Sequence, residues 1–201
     1  MSFSAEQSRS FFGPLVGKTV TFLLDGRRPN LEFARTTLGL VAATGSTCAI
    51  LDLDAFYASN ADYVLSPLGN GARTSVLRVP SPGLPIEDDL SGLFGFHQDV
   101  IIVDSLNSLY HLLAAEDGSS RGRKAAFTLA SLSYFARTNS KVVLLSMYRR
   151  EGLPKTGSAR PISGLSDVTA SAQSDGATLI VRAVRGSAWP GGTLSIRTLS
   201  V

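Results

Sequence analysis

The chain alternates between short apolar runs and longer stretches of helical periodicity, and its clearest run is residues 99–105, Asp-Val-Ile-Ile-Val-Asp-Ser. Four consecutive β-branched apolar residues leave the strand no polar side. Both faces must be covered, which is the pattern of a central parallel strand. Its carboxyl end, Asp104-Ser105, falls where open α/β sheets hold their ligands. An acid at that position either helps hold Mg²⁺ beside a nucleotide triphosphate or caps the next helix.

The same reading predicts strands over 20–24, over 48–54 with Asp52 and Asp54 at the end, over 75–79 and over 142–147. Two more, 178–184 and 193–199, flank the Gly- and Pro-rich turn 186–192 and predict a terminal hairpin. Helices are predicted over 31–43, with Asn30 as N-cap and Gly45 as stop, and from Glu87 to about Phe94 after the Pro-rich turn 80–85. Two further helices cover 105–113, with Leu106, Leu109 and Leu113 on the apolar stripe, and 123–138, with Phe127, Ala130 and Tyr134 facing inward. Strands alternating with helices predict an α/β fold, a mostly parallel central sheet flanked by helices and closed by a C-terminal β-hairpin. The domain is expected over 13–201, behind a flexible, mostly polar arm at 1–12. Phe11 and Phe12 on that arm either dock on a partner or tuck back onto the chain's own core.

A phosphate-binding loop is expected after the first strand of many such sheets, and none matches. Gly13-Pro-Leu-Val-Gly17-Lys18-Thr19 is one residue short of G-x-x-x-x-G-K-[ST], and it leads into a strand where the motif needs a helix. Gly17-Lys18 reads as the turn into the first strand. Counting instead from Gly26, at the strand-to-helix turn, the Gly-Lys-Thr positions hold Leu31-Glu32-Phe33. Gly26, Arg27, Arg28 and Glu32 therefore mark a degenerate loop. An acid stands where the cation belongs, and it repels a triphosphate at close range.

Composition narrows the class. At 201 residues and 44% hydrophobic, the chain can bury one full core. It has no run of about 18 apolar residues and no basic-then-apolar leader, so an intracellular protein is expected, in cytoplasm or nucleus. A lone Cys48 rules out an internal disulfide, and two scattered histidines make no metal-ligand pattern. The net charge of +3 is unevenly spread. Residues 121–160 hold nine Lys or Arg against the single acid Glu151, so that segment carries +8 and the rest −5. Such a block predicts a surface facing a polyanion. Within it the loop 148–161 is long for a compact domain. It offers Arg149, Arg150, Lys155 and Arg160 for phosphates and Tyr148 for stacking, a pattern suited to single-stranded nucleic acid. The loop 116–122 precedes Arg121, Arg123 and Lys124 in a similar setting.

In order of parts, with "VIIVDSLNSLY", the loop "EDGSSRGRK", the strand "VVLLS", a long basic loop and a terminal hairpin, residues 14–199 resemble the ATPase core of the RecA/RadA recombinases. The likeness is greatest to the smaller RadB-like paralogues. The resemblance implies that Asp104 assists Mg²⁺ and that Asp54, shorter than the usual Glu, polarises the attacking water. It also implies that DNA is lined by Arg121, Arg123 and Lys124 and by Arg149, Arg150, Lys155 and Arg160. The phosphate loop and the N-terminal helix-hairpin-helix module of full recombinases are missing. The expectation is a non-catalytic paralogue with no cofactor, in which Asp104 and Asp54 are remnants. It would bind single-stranded or branched DNA and assist a RecA/RadA-type recombinase or pair with another paralogue. Two alternatives stay open: an ATPase in which Arg27 and Arg28 replace the lysine and ATP with Mg²⁺ is bound, and a pseudo-ATPase scaffold subunit with no nucleic-acid role.

Overall fold

The structure is a computed structural model, and it describes residues 3–71, 74–78, 92, 97–113, 121–149 and 164–198. Eight strands form one sheet: β1 (Lys18–Asp25), β2 (Cys48–Asp52), β3 (Thr74–Arg78), β4 (Val100–Asp104), β5 (Val142–Arg149), β6 (Val168–Ser174), β7 (Thr178–Arg185) and β8 (Thr193–Arg197). Their spatial order is β3-β2-β4-β5-β1-β6-β7-β8. The first six pair in parallel and the last three form an antiparallel meander, β6-β7-β8. The expected mostly parallel sheet with its terminal hairpin is therefore present. Among the described residues no helix is long and apolar enough to cross a membrane.

β2 and β4 are buried at every position, as their unbroken apolar runs require. Helices lie on both faces: α1 (Ala5–Phe12), α2 (Arg27–Thr44), α3 (Phe56–Ser59) and α4 (Ala61–Val64), then α5 (Leu106–Leu112) and α6 (Arg121–Asn139). One core joins Val20, Phe22 and Leu24 of β1 to Phe33 and Leu38 of α2 and to Phe11. The other joins Ile101, Val103 and Leu145 to Leu106 and Leu109 of α5 and Leu129 and Leu132 of α6.

Several expectations change. Residues 5–12 are a helix with a complete capping box, in which Ser4 accepts from Gln7 N–H and Gln7 reaches back to Ser4 N–H. Phe11 is fully buried and Phe12 nearly so. They are core residues, and neither is exposed for docking on a partner. Phe11 packs against both Phe22 and Trp189, 6.1 and 6.0 Å between ring centres, the three rings forming a cluster, and its carbonyl accepts the Trp189 indole N–H at 3.2 Å. α2 begins at Arg27, three residues before the expected cap, because a proline in the first turn gives up no helical hydrogen bond. Its end at Gly45, in the left-handed conformation at φ 66°, is as predicted.

α6 turns the opposite side to the sheet from the one expected. Ala125, Leu129, Leu132 and Ala136 are buried, while Phe127 and Tyr134 are 75% and 71% exposed. β6 had no counterpart in the sequence reading: its residues, Val-Thr-Ala-Ser-Ala-Gln-Ser, are small and mostly polar. The Pro-rich turn 80–85, the acidic helix start 87–89 and most of the loop 116–122 lie outside the described residues.

Candidate functional site

The parallel strands bring their carboxyl ends to one edge, and the acids gather there. In register, Asp52 of β2 pairs with Asp104 of β4, Asp104 with Ser146 of β5, and Arg149 of β5 with Asp25 of β1. Asp104 is fully buried. Its Oδ1 accepts the Tyr148 hydroxyl from the adjacent strand, and its Oδ2 has no hydrogen-bond partner among the described residues. Burial pushes the Asp104 carboxyl up to about 7, repulsion from Asp54 and Asp52 adds to the rise, and the Tyr148 hydrogen bond opposes it. Tyr148 is itself raised, by burial first and the Asp104 charge second, so it stays a donor.

Each remaining group has a structural task. Asp52 accepts backbone N–H groups of Tyr57 and Ala58 at 3.2 and 2.8 Å and so holds the start of α3. Asp54 is exposed and accepts the Ser108 hydroxyl, tying the β2 loop to α5. Ser105 caps α5. Tyr148, expected to stack on bases, is instead fixed at both ends: its ring oxygen bonds Asp104, and its backbone N–H donates to Asn107 Oδ1 at 2.9 Å.

The phosphate-holding half of the edge can be tested against a triphosphate directly. β1 ends at Asp25 and α2 starts at Arg27, so Gly26, at φ 85°, is the whole connection. A phosphate cradle needs several consecutive loop N–H groups turned toward one point, and one residue cannot form it. The positions that would be Gly-Lys-Thr lie inside α2. Phe33 is buried 4.5 Å from the Phe22 ring, and Glu32 is buried and accepts the Tyr63 hydroxyl at 2.7 Å. Arg35 lies over the same Tyr63 ring, 4.7 Å from its centre. Arg28 is exposed, and its guanidinium lies against Gly176 at the β6–β7 turn beside Asp175, whose pKa is lowered chiefly by backbone N–H groups of Ala177 and Thr178 and in part by that cation. The residues present do not fit a bound triphosphate. Among the described residues no group of three His, Cys, Asp or Glu is arranged to hold a metal ion. Gly17, at φ 74°, is the predicted turn, and Lys18 opens β1 with its ammonium on the Ser187 carbonyl at 3.0 Å.

The predicted DNA contacts divide by position. Arg121, Arg123 and Lys124 occupy the first turn of α6. That helix must start near the carboxyl edge of the sheet, since β5 follows it from the opposite edge. Arg149 ends β5 at the same carboxyl edge. Topology thus brings the two groups to one side of the sheet. Arg150, Lys155 and Arg160 lie outside the described residues. Sequence reasoning missed the roles of Tyr148, Glu32 and Tyr63. The Tyr148 pairing was signalled only by the register of β4 with β5, which a single strand pattern does not carry.

No protein-family model matches the sequence, and no curated protein matches it. Solved structures do. A RadB recombinase superposes with a TM-score of 0.62 at 15% identity, covering 96% of this chain and 93% of its own. A KaiC-like protein from the hyperthermophilic archaeon Pyrococcus horikoshii OT3 superposes with a TM-score of 0.55 at 13% identity, covering 90% of each chain. Taken with the sheet order and the acid at the end of β4, these likenesses establish that the chain has the RecA-like α/β fold.

Proposed function

We propose that this chain is a non-catalytic RecA-like module that binds single-stranded DNA through its basic segments and assists a RecA/RadA-type recombinase in homologous recombination and repair inside the cell. The observation that carries the reading is the junction at Gly26: a strand that passes into a helix through one residue keeps the framework of a nucleotide motor without its phosphate cradle. The +8 charge of residues 121–160 and the gathering of Arg121, Arg123, Lys124 and Arg149 toward one edge support a polyanion partner. The RadB neighbour is described as a recombinase, and a recombinase or another paralogue is accordingly the protein partner in this reading.

Fluorescence anisotropy with a labelled oligothymidylate tests it. Binding is expected to weaken steeply with salt, with a log–log slope of roughly −3 if about four phosphates are neutralised. Arg149→Ala combined with Arg150→Ala is expected to reduce affinity about tenfold or more. Absence of salt-sensitive binding, or indifference to that double substitution, defeats the reading.

A further inference from the structure

On the outer ridge of α6, Phe127, Ala130 and Tyr134 belong to neither core. Phe127 and Tyr134 lie two turns apart on the side directed away from the sheet, and Ala130, also exposed, sits between them. With Ser131, Phe135 and Asn139 they line a shallow depression along the helix. Two aromatic rings left in water on one ridge form the kind of patch that marks an interaction site. Their spacing is specific: Arg123, Phe127, Ala130, Tyr134 and Arg137 follow each other at intervals of four, three, four and three, the seam along which one helix packs on another. The small residue at its centre allows a second helix axis to come close.

Charge says what kind of helix. α6 carries four cations, Arg121, Arg123, Lys124 and Arg137, and no acid in its 19 residues. Three of the cations stand in the first turn, where the helix dipole disfavours them. The exposed Arg123 closes the seam at one end. At the other, Arg137 is 70% exposed and pairs with Asp167 at 2.9 Å. A second copy of this chain, laid ridge to ridge, would set these cations against their own kind. On this ridge the cations stand only at the two ends, and between the rings lie Ala130 and Ser131, a middle suited to apolar anchors of a helix.

We propose that the outer ridge of α6 docks an acidic amphipathic helix of a partner protein, with apolar anchors packed on Phe127, Ala130 and Tyr134 and Asp or Glu residues facing Arg123 and Arg137. The surface shares Arg123 with the DNA reading, but its anchors Phe127, Ala130 and Tyr134 have no part in that reading, and substitutions at 127 and 134 test it separately.

The test places photoreactive p-benzoylphenylalanine at position 127 of the full chain in its native host and maps the crosslinked segment by mass spectrometry. The expected adduct is a protein segment with apolar residues at helical spacing and net negative charge. Made as a peptide, that segment should bind the purified chain in a salt-sensitive way and lose at least about tenfold in affinity with Tyr134→Ser. Both substituted residues are exposed, so circular dichroism and melting of the variant should match the native chain. An adduct with nucleic acid, with a second copy, or with a neutral or basic segment overturns the proposal. So does the absence of any adduct, or peptide binding indifferent to Tyr134→Ser. Oligothymidylate anisotropy measured on Phe127→Ser plus Tyr134→Ser is expected to be unchanged, and its loss would assign the ridge to nucleic acid instead.

Discussion

The hydroxyl of Tyr148 on β5 is bound to the buried carboxyl of Asp104 on β4, so the acid that ends the central strand is engaged from within the sheet. Burial is what raises this carboxyl to about 7 from an ordinary value of 3.8, and the neighbouring acids reinforce it.

That relationship sets a pH dependence. Between 3.8 and about 7 the folded chain keeps a proton on Asp104 that the unfolded chain has released. The folded state binds more protons, so stability from this group is fully present below the lower value and declines as pH rises to the upper one, levelling above it. The span corresponds to a few kcal/mol. Asp104→Asn removes the charge and keeps an acceptor for Tyr148. Thermal melts should show the variant near the native chain at pH 4 and clearly more stable at pH 8. Parallel curves across that range would show that the carboxyl does not titrate as argued.

The aromatic stack that holds α1 makes a second prediction. Phe11→Ala removes a fully buried ring that packs on both Phe22 and Trp189 and should cost about 3–5 kcal/mol in a denaturant titration. Trp189 is the only tryptophan and is 3% exposed, so its emission should shift to longer wavelength in the same variant. A native-like midpoint and spectrum would return residues 5–12 to the role of a loose arm.

Restoring the missing lysine should not restore nucleotide binding. Glu32→Lys places the motif's cation at its counted position, but in the second turn of α2, against Tyr63 and Arg35 rather than at a loop. Calorimetry with ATP and Mg²⁺ is expected to show no saturable heat for the native chain or the variant. The variant should also lose roughly 2 kcal/mol through the lost Tyr63 hydrogen bond and a buried cation beside another. Saturable binding by the native chain would mean that the Gly26 junction does hold phosphate.

Sequence alone carried the strands whose residues are apolar on both sides, because a fully covered strand leaves no alternative pattern; β2 and β4 are of this kind. It also carried the turn at Gly17 and the end of α2 at Gly45, since both need a backbone conformation that glycine adopts most easily. It failed at α6, where apolar residues occur almost all round the helix and the larger aromatic rings outweighed Leu129 and Leu132 in the reading. It failed at β6, where Ala170 and Ala172 are buried by their place beside β1 rather than by their own hydrophobicity. The helix 5–12 was legible in its Ser4 and Gln7 capping pair, outweighed by the polar residues around it. At the candidate site the acids were visible, but their partners were not: Tyr148 with Asp104 and Tyr63 with Glu32 are contacts between elements far apart in the chain.

The place of β1 bears on how the protein is made. It is the first strand to leave the ribosome, yet its two neighbours are β5 and β6, the fifth and sixth. Until residue 149 has been translated, a strand as apolar as Val20–Leu24 has both of its backbone rims bare, one rim stays bare until residue 174, and the aromatic cover that Trp189 gives Phe11 arrives later still. The nascent chain is therefore committed to a long wait with its stickiest segment unpartnered, and folding of the whole sheet is deferred to the closing stage of synthesis.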